Sequence, residues 1–412
     1  MSFRNYMPMG RTLATEPLQE LESRDRPAPS ESGSRGAGVR LLVFSDAFKH
    51  RNGVGAYYCD LLGHIRERVG AAELVCPGLT EGGKRQGLSI PLPGDPTQKL
   101  CLPGILKAIR TMRNVRPNVV VLATPGPYGI LGLILAKAFR ARCCVGYHTQ
   151  FDKLAGVYWA NIFGKVAAWY LRMLDRLFFR LAHMVVTNSG PVRDSAVELG
   201  ARNVRLVGTP LEPRLLQAPA PYPRGPLATV LFVGRLAPEK NLEAVIEAAQ
   251  DMPETRFVIA GDGPLRGTVQ EAAAALPNLD YRGWLDRATL LDTLDECEIL
   301  VVPSRVESFG TVAIEAMCRQ RMVLVSPNCG IRDWPRLADG VEVMGDGESL
   351  SAALTRLSQW TWAERAQKAK LARQRAERFH ASTIDQWLDI FEEVRRASGV
   401  PLRSQPRNEA AK

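Results

Sequence analysis

Two glutamates in the segment VVPSRVESFGTVAIEAM, residues 301–317, are the side chains best suited to chemistry in this 412-residue chain. Glu307 precedes a turn of small residues, and Glu315 follows eight positions later on a predicted helix. Eight residues of α-helix span roughly 12 Å, whereas the two carboxylates that cleave one glycosidic bond lie about 5–10 Å apart. The spacing therefore argues against a paired-carboxylate hydrolase. It favours an extended ligand with a polar group at each end and an anion between them, at the helix N-terminus.

A guanidinium and an ammonium group stand five residues apart in GRLAPEKN, residues 234–241, where a predicted strand gives way to a helix. Arg235 and Lys240 could together clamp a diphosphate there; a surface turn with two exposed cations is the alternative. Gly261 and Gly55 lie in two other turns, and each glycine allows the backbone to approach a phosphate closely. An ordinary structural turn explains such glycines as well.

His148 ends a predicted apolar strand at residues 143–148. In doubly wound sheets, ligands bind beyond the carboxyl ends of the strands. We therefore expect His148 to point into a ligand cleft, although a histidine satisfied by local backbone groups is the alternative.

Strand-like apolar runs alternate with helical patterns along both halves of the chain, which indicates βαβ units and parallel sheets. Residues 213–226 contain five prolines and are predicted to link the halves. The predicted fold is α/β, with two doubly wound, Rossmann-like domains that face a central cleft, residues 38–212 and 227–383. A disordered tail is predicted over 1–37. Two helices are predicted near the C-terminus, over 362–378 and 384–397, and the second is expected to pack back on the first domain.

The net charge of +10 resides in one half of the chain. Residues 41–212 have 22 Lys/Arg against 11 Asp/Glu, whereas residues 213–412 have 25 against 27. Within residues 84–142, ten cations accompany a single acid, Asp95. A solvated basic face and an anionic partner, either a membrane surface or a polyanion, both account for this excess.

Lys107, Arg110 and Arg113 recur every three residues on a short predicted helix that also has an apolar side. This basic amphipathic pattern suits an anionic bilayer surface, and an ordinary surface helix over a core fits it equally. A longer predicted helix has a second basic row, next to Trp169 and Leu177. We expect that helix to pack its aromatic and aliphatic side chains in the core.

Other sequence features predict a cytoplasmic protein. No stretch reaches the ~20 apolar residues of a membrane span, and the N-terminal residues lack a signal-peptide pattern. The eight cysteines form no CxxC pair and are expected to be reduced. A nucleic-acid partner is not expected, because no basic and aromatic motif is present.

Taken together, these motifs resemble glycosyltransferase family 4, a family of retaining enzymes with the GT-B fold, over about residues 39–397. Glu307 and Glu315 match its Glu-x7-Glu motif, and GRLAPEKN matches its Gly-Arg-Leu-x-x-Glu-Lys-Asn segment. The segment YHTQF, residues 147–151, looks like the His-Thr segment of the lipid-directed branch. That branch includes phosphatidylinositol mannosyltransferases and diacylglycerol glucosyl- or sulfoquinovosyltransferases.

The resemblance implies roles for individual residues. Four of them would be catalytic: Glu307, His148, Arg235 and Lys240. Arg235 and Lys240 would hold the donor diphosphate and neutralise the departing nucleotide. Glu307 would contact the transferred sugar, His148 would bond a sugar hydroxyl, and Glu315 would accept hydrogen bonds from the ribose. Further donor contacts are implied for Gly55, Gly234, Gly261, Leu285, Ser308, Phe309, Gly310 and Thr311. Acceptor contacts are implied for Asp46 and Asn52.

The sequence thus predicts a retaining glycosyltransferase that moves a hexose from a UDP- or GDP-linked sugar to a membrane lipid. The basic N-terminal half, including Lys107, Arg110 and Arg113, would dock on the inner face of the cytoplasmic membrane. Arg235 and Lys240 would replace a metal ion, so neither a metal nor a further cofactor is expected. A soluble or polysaccharide acceptor is the alternative within this enzyme class, and a non-catalytic module that binds a sugar nucleotide or polyanion is the alternative outside it.

Overall fold

The computed structural model describes residues 36–49, 53–78, 89–92, 95–148 and 162–397. Its strands are β1 (Arg40–Phe44), β2 (Ala71–Val75), β3 (Ser89–Leu92), β4 (Asp95–Cys101), β5 (Val119–Leu122), β6 (Arg142–Gly146), β7 (Met184–Thr187), β8 (Val204–Leu206), β9 (Thr229–Val233), β10 (Arg256–Ala260), β11 (Leu279–Gly283), β12 (Ile299–Val302), β13 (Met322–Val325) and β14 (Glu342–Val343). The first sheet has the order β2–β1–β5–β6–β7–β8 and the second the order β11–β10–β9–β12–β13–β14. All neighbours within these two sheets are parallel, and β3 and β4 form a separate antiparallel pair. The predicted pair of doubly wound sheets is confirmed.

Helices connect the strands and pack on both faces of each sheet. They are α1 (Gly53–Ile65), α2 (Ile105–Val115), α3 (Pro127–Ala138), α4 (Ile162–Leu181), α5 (Gly190–Glu198), α6 (Leu242–Asp251), α7 (Arg266–Ala275), α8 (Arg287–Glu296), α9 (Thr311–Cys318), α10 (Pro335–Ala338), α11 (Leu350–Ser358) and α12 (Trp362–Arg396). Short 3-10 helices occur at Pro213–Leu216, Pro238–Lys240 and Gly330–Asp333. Most of the predicted tail, residues 1–35, lies outside the described residues.

The central strands read as unbroken apolar runs because each parallel sheet is buried on both faces. In the first sheet, Phe44 packs with Met112 of α2 and with Phe178 of α4. On the opposite face, Leu41 packs in a cluster that contains Trp387 of α12. Helices α2, α3, α4 and α5 therefore form one layer of the first domain, and α1 and the end of α12 form the other.

The prediction of two C-terminal helices is wrong, because residues 362–396 form the single helix α12. The helix begins with a capping box between Thr361 and Glu364. Phe379, His380 and Thr383 are buried, so the packed face continues through the predicted gap and nothing there interrupts the helix. The first part of α12 packs on the second domain and its last part on the first sheet, so one element joins both.

The strand order reverses beside the first strand of each sheet: β1 lies between β2 and β5, and β9 lies between β10 and β12. Such a reversal opens a crevice at the carboxyl ends of the strands, where ligands bind in this architecture. The segments after β1, β5 and β6 border the crevice of the first domain, and those after β9 and β12 border the crevice of the second.

Candidate active site

Two neighbouring loops of the second domain bring the predicted diphosphate clamp and the first glutamate together. Residues 234–241 follow β9 and residues 303–310 follow β12. The N–H of Arg305 donates a hydrogen bond to the carbonyl of Glu239 at 2.8 Å, and its guanidinium donates to the carbonyl of Pro238 at 2.9 Å. The two loops are thus fixed to each other before any donor binds.

The centre of this site is an ion pair between Lys240 and Glu307, whose side chains are only 20% and 17% exposed. Burial by itself would lower the pKa of Lys240, but the Glu307 carboxylate raises it above its ordinary value. Lys240 is therefore a permanent cation at neutral pH. Arg235 lies 3.7 Å from the buried Glu239 carboxylate in the same loop, so a second cation is positioned nearby.

Glycine is required where the loops of this site cross. A Cβ on Gly261, whose φ is +143°, would lie 1.8 Å from the carbonyl oxygen of Gly234. Gly310 adopts φ +88° directly before α9, and a Cβ there would lie 2.8 Å from Cys329 Sγ. Both glycines thus have a packing reason to be present, which holds whether or not they also contact a donor.

The second glutamate lies on α9, but the first does not. Glu307 forms an isolated bridge with Cys329 and precedes the helix, which begins at Thr311. The helical spacing assumed for the two glutamates is therefore wrong, because the chain turns through Gly310 between them. Their separation is set by a loop and one turn of helix rather than by two turns of helix.

Ser308, Phe309 and Thr311, three further predicted donor residues of this domain, lie in or directly after the β12 loop. Phe309 is buried and stacks on Phe379 at a centroid distance of 5.9 Å, so its side chain belongs to the core and only its backbone N–H is left for a ligand. Ser308 and Thr311 are half-buried beside it, at the start of α9. Leu285 is half-buried between β11 and α8. Their contacts with a donor stay predictions.

A charged cluster beside Glu315 joins the two domains. Arg287, at the start of α8, donates to both oxygens of Asp60 on α1 at 2.5 and 2.8 Å, and to Glu212 at 2.9 Å. Burial would lower the pKa of Arg287, but its hydrogen bonds with Asp60 raise it. Burial raises the pKa of Glu315 to about 7; Arg287 opposes this rise, whereas Asp60 and Glu212 add to it. The second glutamate therefore sits in an electrostatic environment that both domains create.

His148 lies where predicted, at the carboxyl end of the first sheet, and it is buried. Its Nε2 is 3.0 Å from the hydroxyl of Tyr58, and its ring lies 4.4 Å from that of Tyr57 between centroids. Burial lowers the pKa of His148 to about 3, so the imidazole is neutral at physiological pH. Within the described residues its Nδ1 has no hydrogen-bond partner.

Asp46 follows β1 and caps helix α3. The Thr124 hydroxyl donates to its carboxylate at 2.5 Å, and the N–H of Tyr128 donates at 2.9 Å. Burial raises the pKa of Asp46, and these hydrogen bonds oppose the rise. The structure thus gives Asp46 a capping role, and its contact with an acceptor stays a prediction. Gly55 is buried in the first turn of α1, and Asn52 lies outside the described residues.

Helix α2 exposes both its basic side and part of its apolar side. Lys107, Arg110 and Arg113 are all exposed. Leu106 is 83% exposed, whereas Met112 on the same helix is buried. The helix therefore presents aliphatic and cationic side chains to its surroundings at one end.

The core-packed interpretation of the longer helix is wrong for one of its faces. Phe178 of α4 is buried, but Trp169 is 63% exposed and Leu177 is 45% exposed. The exposed apolar side chains recur at helical spacing and form one stripe: Val166, Trp169, Tyr170, Met173 and Leu177. No helix in the described part of the chain combines the length and the apolarity that crossing a bilayer requires.

Comparisons with known proteins agree with this fold. The model for glycosyl transferases group 1 matches residues 222–370, and the model for Glycosyltransferase Family 4 matches residues 51–214. Two Rossmann-like domains with these motifs define the GT-B class of glycosyltransferases. Within that class, the chain belongs to glycosyltransferase family 4.

Two curated relatives are similar over most of the chain. Sulfoquinovosyl transferase SQD2 of Arabidopsis thaliana is 22% identical over 74% of this chain, and the chain spans only 62% of the length of that relative. A GDP-mannose-dependent alpha-mannosyltransferase of Mycobacterium tuberculosis is 26% identical over 72% of this chain and 81% of its own length.

Two solved structures share the fold. Sucrose-phosphate synthase from Thermosynechococcus elongatus has a TM-score of 0.66 at 17% identity, covering 87% of this chain and 99% of the other. Anabaena Alr3699/HepE in complex with UDP-glucose has a TM-score of 0.62 at 17% identity, covering 86% and 99%.

Sequence reasoning missed three residues that shape the site. Arg287 and Asp60 are separated by 227 positions in the chain, and no local pattern marks their contact. Tyr58 lies in a helix whose apolar residues look like ordinary core, so nothing distinguishes its hydroxyl as the partner of His148. Only the packed fold brings these side chains to the cleft.

Proposed function

We propose that the protein transfers a hexose from a nucleotide diphosphate sugar to a lipid acceptor, with retention and without a metal ion, at the inner face of the cytoplasmic membrane. The donor half of this proposal is supported by the paired loops that hold Lys240 and Glu307 at the crevice of the second sheet. It is also supported by the relatives, since one is named as GDP-mannose-dependent and a structural neighbour is in complex with UDP-glucose.

Different residues of the site would bind different parts of the donor. Its phosphates would lie at the N-terminus of α9, where the helix dipole and free N–H groups favour anions, next to Lys240 and Arg235. Glu307 would exchange its contact with Lys240 for hydroxyls of the transferred sugar, and Glu315 would accept hydrogen bonds from the ribose. The neutral His148 would use Nδ1 to bond a sugar hydroxyl from the opposite domain.

The bond changes follow from this placement. The bond between the sugar anomeric carbon and the diphosphate oxygen breaks, and its electron pair stays on the departing phosphate. The acceptor hydroxyl oxygen bonds to the anomeric carbon on the same face, and its proton passes to that phosphate. Lys240 and Arg235 stabilise the charge that develops on the leaving group, which is usually the largest single contribution to catalysis in such sites.

The proposal of a lipid acceptor rests on the apolar stripe that α4 exposes. A surface helix normally turns its apolar face inward, whereas Trp169, Tyr170 and Leu177 are exposed. Arg172, Arg176 and Arg180 flank the stripe on the same exposed side of the helix. An apolar stripe flanked by cations is the pattern of a helix that lies in an anionic membrane interface.

Vesicle co-sedimentation tests this surface. The wild type is expected to bind phosphatidylglycerol vesicles at low salt, and Trp169→Ala/Leu177→Ala is expected to bind at least about fivefold more weakly, because each side chain loses part of its apolar burial. Trp362→Ala is the matched control, since it removes an exposed tryptophan from the second domain.

Transfer from radiolabelled UDP-glucose or GDP-mannose into lipid extract completes the test, with the product recovered in the organic phase. Transfer to a water-soluble or polysaccharide acceptor by both the wild type and the α4 variant would overturn the lipid proposal and leave the donor chemistry intact. Equal vesicle binding by the α4 variant and the Trp362 variant would also contradict it.

A further inference from the structure

A second basic site lies on the first domain, at the end of the sheet opposite to the cleft. An open cavity of about 690 Å³ is lined by six arginines, which are Arg40, Arg113, Arg116, Arg140, Arg142 and Arg395. Arg40 begins β1 and Arg142 begins β6, and Asn118 directly precedes β5. These are the amino ends of neighbouring parallel strands, so the length of the strands, roughly 15 Å, separates this cavity from the cleft at their carboxyl ends.

The cavity is held in shape by backbone and amide contacts. The guanidinium Nε of Arg40 donates to the carbonyl of Arg116 at 2.7 Å. Asn118 accepts from the N–H of Arg40 at 2.8 Å and donates to the carbonyl of Gly38 at 2.7 Å. These bonds join β1 to the segment before β5 without using a carboxylate, so they fix the wall of the cavity and leave its positive charge in place.

The charge of the cavity is only partly compensated. Arg395 pairs with Glu392 at 2.7 Å. Among the described residues, no carboxylate forms an ion pair with Arg40, Arg113, Arg116 or Arg140. Like charges gathered in one concave surface focus a positive potential.

Two of these arginines also stand where the backbone favours glycine. Arg116 has φ 46° and follows α2, and Arg140 has φ 56° and follows α3. A left-handed residue after a helix is usually glycine or asparagine, and another side chain there costs of order 1 kcal/mol. Both positions therefore bear arginine despite some backbone strain, in the same cavity.

We propose that this cavity binds a multiply phosphorylated ligand of about nucleotide size. Its volume falls within the range of small-molecule sites, and the planar guanidinium groups match phosphate oxygens. Phe139 lines one side and is 39% exposed, which offers an apolar wall for the rest of the ligand. The phosphates could belong to a soluble compound or to a lipid headgroup, and the site is independent of the proposed sugar transfer.

Tripolyphosphate is the probe, with binding measured by calorimetry and by thermal shift, because a ligand of the native state raises its melting temperature. The wild type is expected to bind it more tightly than orthophosphate and to lose most of the affinity at about 0.5 M NaCl. Arg116→Gly/Arg140→Gly is expected to bind at least about tenfold more weakly, since two charge-assisted contacts are removed. Glycine suits both backbone positions, so this variant is expected to fold.

Two control variants show whether the anion binds in this cavity. Gln320→Gly makes the same backbone change at a left-handed position, φ 56°, outside the cavity, and is expected to bind tripolyphosphate like the wild type. Lys240→Ala removes any contribution of the proposed diphosphate clamp, and the tripolyphosphate binding that remains in this variant is expected to be lost when the two arginine substitutions are added. Loss of binding in Lys240→Ala together with full binding in the arginine variant would place the anion in the donor site and overturn the proposal.

Flotation with phosphatidylglycerol vesicles distinguishes the source of the phosphates. Weaker vesicle binding by the arginine variant than by Gln320→Gly would identify a lipid headgroup, whereas equal vesicle binding with weaker tripolyphosphate binding would identify a soluble ligand. Binding of a single-stranded oligonucleotide is the third comparison. If the wild type binds it more tightly than tripolyphosphate and the arginine variant does not bind it, the ligand is a nucleic acid and the proposal of a small ligand is overturned. No difference between the arginine variant and Gln320→Gly in any assay would refute the site.

Discussion

Each of the two domains is built on a six-stranded parallel sheet, but the domains differ in what they expose. In the second domain, hydrogen bonds and ion pairs fix the cleft loops, and charges nearly balance over residues 213–412. In the first domain, helices α2 and α4 expose apolar and cationic side chains, and twelve of the fifteen exposed large hydrophobic residues among the described ones lie there. One domain thus has cleft loops that are fixed by local hydrogen bonds, and the other has an exposed surface of apolar and basic side chains.

This difference explains why the donor motifs are readable in sequence and the acceptor is not. A phosphate clamp needs particular residue types at fixed positions along two loops, whereas a surface for a bilayer or large partner needs only a suitable average of apolar and basic side chains. Substitutions in each domain test this contrast.

Removal of the clamp cation is expected to have the largest effect. Lys240→Ala should lower transfer by about 10²–10³-fold or more, because it removes a preorganised charge from the leaving group. Lys368→Ala is the matched control, since Lys368 pairs with Glu342 at 2.5 Å and the two side chains are 18% and 17% exposed. Both variants should lose similar stability, measured by urea unfolding, and only Lys240→Ala should lose activity.

Equal activity loss in the two lysine variants would show that the Lys240–Glu307 pair acts only through folding. The Lys240–Glu307 ion pair would then have no more effect on transfer than another partly buried ion pair of the second domain.

The rigidity of the donor loops predicts a second effect, at Gly261. A Cβ there would meet the carbonyl oxygen of Gly234 at 1.8 Å, so Gly261→Ala should lower the free energy of unfolding by about 2–3 kcal/mol and weaken donor binding. Gly267→Ala is the control, because nothing lies within 4 Å of the added atom in helix α7. It should retain or slightly increase stability, and a Gly261 variant that behaves like it would contradict the proposed loop crossing.

Features that depend on local sequence could be predicted, whereas features that depend on how distant elements pack could not. Parallel strands buried on both faces read as apolar runs, and the motifs follow β9 and β12 directly, so the fold, the family and the position of these motifs after the strands were predictable. The contact of Arg287 with Asp60 was not, because it depends on how two domains pack. Periodicity showed an apolar face on α4 but not which side of the helix meets the core, and Phe178 and Trp169 ended on opposite sides of that boundary.

The raised pKa of Glu315 predicts that the free energy of unfolding depends on pH. Burial raises its pKa to about 7, well above the ordinary value for glutamate of about 4.3, so the unfolded chain releases this proton at lower pH than the folded protein. Its contribution to stability therefore falls as pH rises from about 4.5 to 7 and stays low above that. Glu315→Gln should gain stability relative to wild type over that window, up to about 3 kcal/mol at pH 8, and should show no difference at about pH 4.

Chemical unfolding of both proteins across this pH range measures the difference. Parallel curves for wild type and Glu315→Gln would show that the carboxylate is not held in a protonating environment. Donor affinity gives a second readout, because ribose hydroxyls favour the charged carboxylate and binding should strengthen as the pH passes the Glu315 pKa of about 7.

The smallest effect is expected on the surface of the first domain, where no single residue dominates. Arg110 of α2 is exposed, and a cation near an anionic bilayer contributes about 1 kcal/mol, so Arg110→Gln should weaken binding to phosphatidylglycerol vesicles about fivefold. Arg256→Gln is the control, since Arg256 is an exposed arginine at the start of β10 in the second domain. Transfer to a dispersed acceptor should be unchanged in both variants, because neither touches the donor site. A loss of transfer in Arg110→Gln without a loss of vesicle binding would mean that the first domain contributes a defined acceptor pocket rather than a diffuse surface, and the contrast between the two domains would fail.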